Sequence, residues 1–121
     1  AGFTTAEMDG QIIGMVRLIA FNKETVIEVP LILGENIREW GINSANVANQ
    51  LRAESALVRE AYRGPNRFGD DSVIDMLTIL VPAAQRDLVI ARLEIADLSQ
   101  TLSGSPDPCI FTVGITVDFL K

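Results

Sequence analysis

The sequence predicts an α+β domain, a small mixed sheet with two helices packed on one face, in the element order ββαβαβ. Three observations carry this expectation. Four apolar runs have the length or the period of strands. Two longer stretches repeat their apolar residues at helical spacing. Clusters of Gly, Pro, Asn, Asp and Ser separate the segments. At 121 residues the chain has the size of one domain, able to bury roughly two-thirds of its unfolded surface. Residues 1–10 read as an N-terminal arm or loop, and residues 11–121 as the single domain.

Two nearly continuous apolar runs come first, at 11–21 and 25–33, with Asn22-Lys23-Glu24 as the turn of a β-hairpin. Pairing Phe21 with Val26 would set Arg17 and Glu28 diagonally on one face, where each charge finds the other. Pro30 lacks an N–H and so assigns the second strand to a sheet edge. After a connector holding Trp40, Asn43 or Ser44 can cap a helix, and Gly64-Pro65 can stop it. Val47, Leu51, Val58 and Tyr62 fall on one face of that helix, with Ala48 beside them. Arg52, Arg59 and Arg63 line a separate stripe.

The run 73–81, interrupted by Asp75, reads as a third strand, and Pro82 suits the first turn of a second helix extending to about Ser99. Ala84, Leu88, Ala91, Ile95 and Leu98 form a seam on this helix, with Val89, Leu93 and Ala96 nearly opposite. Two apolar stripes imply a helix covered on both sides. A Ser/Gly/Pro/Asp loop then leads to the clearest alternation in the chain, at 109–120. Phe111, Val113, Ile115, Val117 and Phe119 point one way, and Thr112, Gly114, Thr116 and Asp118 the other.

Composition narrows the function classes. Hydrophobic residues make up 48% of the chain, which for a small domain implies apolar surface left over for contacts. The net charge of −6 argues against nucleic acid and anionic membranes as partners, because both are held through Lys and Arg. Five arginines against three acids make 36–67 the one basic segment between two acidic ones, an arrangement suited to contacts between copies. Arginine is used almost to the exclusion of lysine, and arginine is the better interface residue. There is no His, so the commonest general base and zinc ligand are missing. Cys109 stands alone and reads as a small buried hydrophobe. No signal-peptide pattern and no apolar run long enough to span a bilayer is present. The expected location is the cytoplasm or an assembled particle.

No phosphate loop or nucleophile elbow occurs, and Ser103-Gly104-Ser105 is robbed of nearby backbone donors by Pro106 and Pro108. Asp70, Asp71 and Asp75 resemble a hard-cation cluster, but an extended chain holds Asp71 and Asp75 about 13 Å apart, too far for one ion. No catalytic residue, metal site or cofactor is expected; an enzyme would have to rely on Asp75 or Glu60 as base.

The arginine stripe has three readings. It can be a solvated face paired with Glu54 and Glu60, a contact with acids of a neighbouring copy, or a clamp for an anionic ligand made by Arg59, Arg63 and Arg67. Trp40, Arg52, Val89, Leu93 and Ala96 are the candidate subunit-contact residues. Together these features point to a homo-oligomeric structural protein, a unit of a shell, virion, tail or filament. Its partners would be itself and another structural protein. The alternative is a small-molecule (anion) binding or regulatory domain with its ligand near a subunit boundary.

Overall fold

The computed structural model of the chain describes residues 1, 4–42, 50–53, 57–99, 110, 112 and 114–117. Five strands occur among them: β1 (Ile12–Ala20), β2 (Thr25–Ile32), β3 (Val58–Pro65), β4 (Asp71–Leu77) and β5 (Ile90–Asp97). They form two antiparallel sheets, one of three strands in the order β2-β1-β5 and one pairing β3 with β4. Among the described residues helical backbone is confined to short 3-10 turns such as Ala6–Met8 and Ala83–Gln85. The expected α+β class is overturned: the described protein is mostly β, with two small sheets, no α-helix and no mixed sheet.

The hairpin β1–β2 lies where local pattern places it, but in a different register. Arg17 stands directly opposite Glu28 rather than diagonal to it, and Ile19 rather than Phe21 closes the ladder, on Thr25. Two local features shape the turn. Lys23 adopts the left-handed conformation (φ 70°), and the Asn22 side chain accepts a bond from the Glu24 N–H at 3.1 Å. Pro30 does sit on an edge strand. Asn36 folds back onto that edge, accepting from the Ile32 N–H at 2.7 Å and donating to the Pro30 carbonyl at 2.9 Å.

Both helix expectations fail on the residues described. Val58, Arg59, Tyr62 and Arg63 belong to β3, and the stretch after Pro82 makes one 3-10 turn and then becomes β5. The ambiguity is geometric: a spacing of four puts residues on one side of a helix and also on one side of a strand. The seam Ala91–Ile95 satisfies both periods, and so does the spacing of Val58 and Tyr62 in sequence, although a bulge between them turns the two to opposite faces of the strand. Long-range pairing decides between them, because β5 completes a ladder on β1 from Gly14 opposite Asp97 to Ala20 opposite Ile90. The second apolar stripe also dissolves. Leu93 and Ala96 lie three apart in a strand and so point to opposite faces, while Val89 precedes β5 and accepts a bond from the Phe21 N–H at 2.8 Å.

The third strand is present but shorter than 73–81, ending at Leu77. The start of the first expected helix, with its caps and with Val47 and Ala48, lies outside the described residues. So do the 102–108 loop, Cys109, and Phe111, Val113, Asp118 and Phe119 of the last expected strand. The described residues of that segment, Ile110, Thr112 and 114–117, belong to neither sheet.

In the three-stranded sheet, alternation separates two faces. Gly14, Val16 and Leu18 of β1 align with Leu31, Val29 and Ile27 of β2 and with Asp97, Ile95 and Leu93 of β5, making one face almost wholly aliphatic. Met15, Arg17 and Ile19 share the opposite face with Pro30, Glu28, Ala96, Glu94 and Arg92. There Arg17 bonds Glu28 at 2.6 Å, Arg92 bonds Glu94 at 2.6 Å, and Arg17 lies between the two acids. The core sits at the N-terminal end of β1, where Met8, Ile13 and Leu33 are buried, with Ile37 and Ile110 packed against them. The expected N-terminal arm thus contributes Met8 to the core. Glu39 is also buried, and it accepts bonds from the Thr4 N–H at 2.8 Å and the Thr4 hydroxyl.

Candidate functional site

The two-stranded sheet holds the residues that the sequence offered as a ligand clamp, and its register separates them. A bulge at Glu60–Tyr62 shifts the pairing, so that Arg59 faces Met76 while Arg63 faces Val73. Met76 and Val73 are three apart on β4 and point to opposite sides. Arg59 and Arg63 therefore lie on opposite faces. Arg67 lies beyond β3 in the turn before β4, its guanidinium 4.7 Å from the Phe68 ring centroid, a cation–π contact. The three arginines are not brought to one anion.

What the sheet does assemble is an ion network centred on Arg38, from the connector. Its guanidinium donates twice to Asp75, at 2.8 and 2.9 Å, and once to Glu60, at 2.8 Å. Glu60 in turn accepts two bonds from Arg63, at 2.8 and 2.7 Å. Glu60 and Asp75 are directly opposed across β3 and β4. Two carboxylates so placed repel, and the arginine between them converts that repulsion into attraction. Arg38 is 9% exposed, so the network fastens the connector to the sheet in partial isolation from water. Backbone bonds join the same parts: the Val73 N–H donates to the Trp40 carbonyl at 2.9 Å, and the Ile42 N–H to the Asp71 carbonyl at 3.3 Å.

This chemistry is poorly suited to proton transfer. The bonds from Arg63, then the one from Arg38, pull the Glu60 carboxyl down to about 2 against the opposing effect of burial, and a carboxylate that acidic is a weak base at neutral pH. Asp75, the other base considered, has both oxygens occupied by Arg38. Arg38 and Arg63 are both raised above the ordinary arginine value, each first by a carboxylate hydrogen bond and against the effect of burial. Among the described residues no group of three or more His, Cys, Asp or Glu side chains is close enough together to hold a metal ion.

Of the candidate contact residues, Arg52 is engaged within the chain. It donates to both oxygens of Asp9, at 2.8 and 3.0 Å, and to Glu35 at 2.7 Å, which holds its charge more firmly than usual. Trp40 is half-buried. Val89, Leu93 and Ala96 fall on or beside β5 and are the ones that remain near open surface.

The surface that stands out is the aliphatic face of the three-stranded sheet and its tip. Val16 and Leu31 are buried at the end where Ile110 lies against Gly14. Leu18, Ile27, Val29 and Leu93 are half-buried, and Ile95, at the β5 edge, is exposed. At the tip Phe21 is 76% exposed and Val89 70%, joined by their backbone bond, with Leu88 and Ile90 exposed beside them. Sequence reasoning missed Phe21 and Ile95 as surface residues. The signal was available: Phe21 directly abuts a polar turn, and in a strand Ile95 shares a side with Leu93. Among the described residues no helix is long and apolar enough to cross a membrane. No family model, no curated protein and no solved structure matches the chain.

Proposed function

We propose that this chain is a homo-oligomeric assembly unit in which a second copy covers the aliphatic face and tip of the β2-β1-β5 sheet. One observation carries the reading. Val16, Leu18, Ile27, Val29, Leu93 and Ile95 form a continuous apolar face, and Phe21, Val89 and Ile90 are exposed at the tip of the same sheet. Burial of such surface contributes roughly 25 cal/mol per Å², and contiguous exposed patches of this kind mark contact sites. On the opposite face the charges of Arg17, Glu28, Arg92 and Glu94 are satisfied among themselves. A unit of a shell, virion, tail or filament would be built by repeating such contacts. The anion-binding alternative has weaker support, since Arg63 already holds Glu60 and Arg59 lies on the other face.

Light scattering across protein concentration, at low and high salt, tests the proposal. The expected result is a defined oligomer that persists in high salt, because the contact is apolar, and that Phe21→Ser with Val89→Ser dissociates. A monomer at every concentration would overturn it.

A further inference from the structure

Sheets with open edges invite another strand, and natural sequences block such edges with proline, bulges, charge or covering segments. Three of the four edges here are treated in that way. The outer edge of β2 carries Pro30, and Asn36 occupies the Ile32 N–H and the Pro30 carbonyl. The outer edge of β3 is broken by the bulge at Glu60–Tyr62 and ends in Pro65. The outer edge of β4 is taken at Asp71 and Val73 by the connector. The fourth belongs to β5. The Leu98 N–H donates to the Ile13 carbonyl at 2.9 Å, so alternation turns the backbone groups of Leu93, Ile95 and Asp97 away from β1. Among the described residues nothing pairs with those groups, and β5 contains no proline.

The chain also carries a strand-like segment with no sheet to join. Thr112, Gly114, Ile115, Thr116 and Val117 are exposed and lie in neither sheet. Ile115 is 58% and Val117 70% exposed, although apolar and polar residues alternate here more regularly than anywhere else in the sequence. The segment is rooted inboard of the free edge. The Ile110 N–H donates to Asp97 Oδ2 at 3.0 Å, while the Ile110 side chain lies against Gly14 on β1. The described residues beyond Ile110 pair with no strand, their own β5 included.

We infer that the segment carrying Thr112 and residues 114–117 of one copy adds as a strand to the outer edge of β5 in a second copy. The periods agree. With Ile115 and Val117 on the side of Leu93 and Ile95, the apolar face gains a row, and Thr112, Gly114 and Thr116 join the side of Arg92 and Glu94. The segment from 110 to 117 has no charge, so it meets no like-charge repulsion along β5. Reciprocal exchange between two copies would satisfy both edges and both segments, as in strand-swapped dimers. This inference rests on the homo-oligomer reading and adds to it a contact at the sheet edge, beside the covered face.

The test uses the full chain with Cys109→Ser as background. Ile95→Cys is combined with either Ile115→Cys or Val117→Cys, so that either of two registers brings a pair together. The oligomer is oxidised and run on a non-reducing gel. Covalent species of two or more chains are the expected product. A disulfide closed within one chain would mean that the segment folds onto its own β5, and absence of any disulfide in both variants would mean that it does not reach the edge; either result overturns the inference. In parallel, Ile95→Pro removes an N–H that faces away from β1, and should weaken association at least about tenfold, the equivalent of one or two ladder bonds. If that variant does not fold, the disulfide result still decides. A native chain that is monomeric sinks the homo-oligomer reading and this one together, whereas an oligomer with unchanged affinity in folded Ile95→Pro and no intermolecular disulfide sinks only strand addition.

Discussion

Replacing Arg38 by methionine tests the account of how the connector is fastened to the two-stranded sheet. The substitution keeps the aliphatic stem and removes the guanidinium that donates to Asp75 and Glu60. Asp75, whose side chain is 15% exposed, would be left facing Glu60 across β3 and β4 with nothing between them. Breaking a buried ion pair by removing one partner costs about 3–5 kcal/mol. Glu60 keeps Arg63 and is less buried than Asp75, so the low end applies, about 3 kcal/mol. Against a total stability of roughly 5–15 kcal/mol for a domain, that is a large fraction. Urea unfolding at pH 7, followed by Trp40 fluorescence and far-ultraviolet circular dichroism at fixed protein concentration, measures it. Adding Asp75→Leu to Arg38→Met should recover much of the loss, because a stranded buried charge is worse than none. A cost below about 1 kcal/mol, the level of an exposed ion pair, would refute the assignment of Arg38 as the fastening. So would a double variant no more stable than the single one.

Two further outcomes follow from neighbouring contacts. The Glu60 carboxyl is depressed from its ordinary 4.5 to about 2 in the folded chain, so its contribution is present in full above about pH 4.5, declines as pH falls from there, and is gone below about pH 2. Glu60→Gln should flatten the acid limb of stability against pH in that window; an unchanged acid limb would count against the Arg63 and Arg38 bonds. Gly14→Ala would place a methyl 2.9 Å from the Ala96 carbonyl oxygen, 3.2 Å from Leu31 Cδ1 and against Ile110. It should cost about 1–3 kcal/mol by overpacking, read as a lower urea midpoint, and an unmoved midpoint would show that the β1–β5 contact is looser than described.

By itself the sequence determined the parts of this protein whose partners are near in the chain. The β1–β2 hairpin, the edge position of Pro30 and the meeting of Arg17 with Glu28 all follow from two apolar runs joined by a three-residue polar turn. Even there the register moved, because Lys23 in a left-handed turn and the Asn22 side chain set the closing pair. Tertiary structure alone decided the rest. Residues 58–65 and 90–97 carry apolar spacings of four that a helix and a strand accept equally. The choice for 90–97 came from β1, distant in sequence, which offered a free ladder. The arginine stripe depended on helical geometry and disappeared with it, and one bulge then sent Arg59 and Arg63 to opposite faces. The Arg38–Glu60–Asp75 network was equally invisible, since its members come from three separate segments and nothing local marks them as a set. Local periodicity records which residues can share a side, whereas the free energy that selects strand over helix comes from partners elsewhere in the chain.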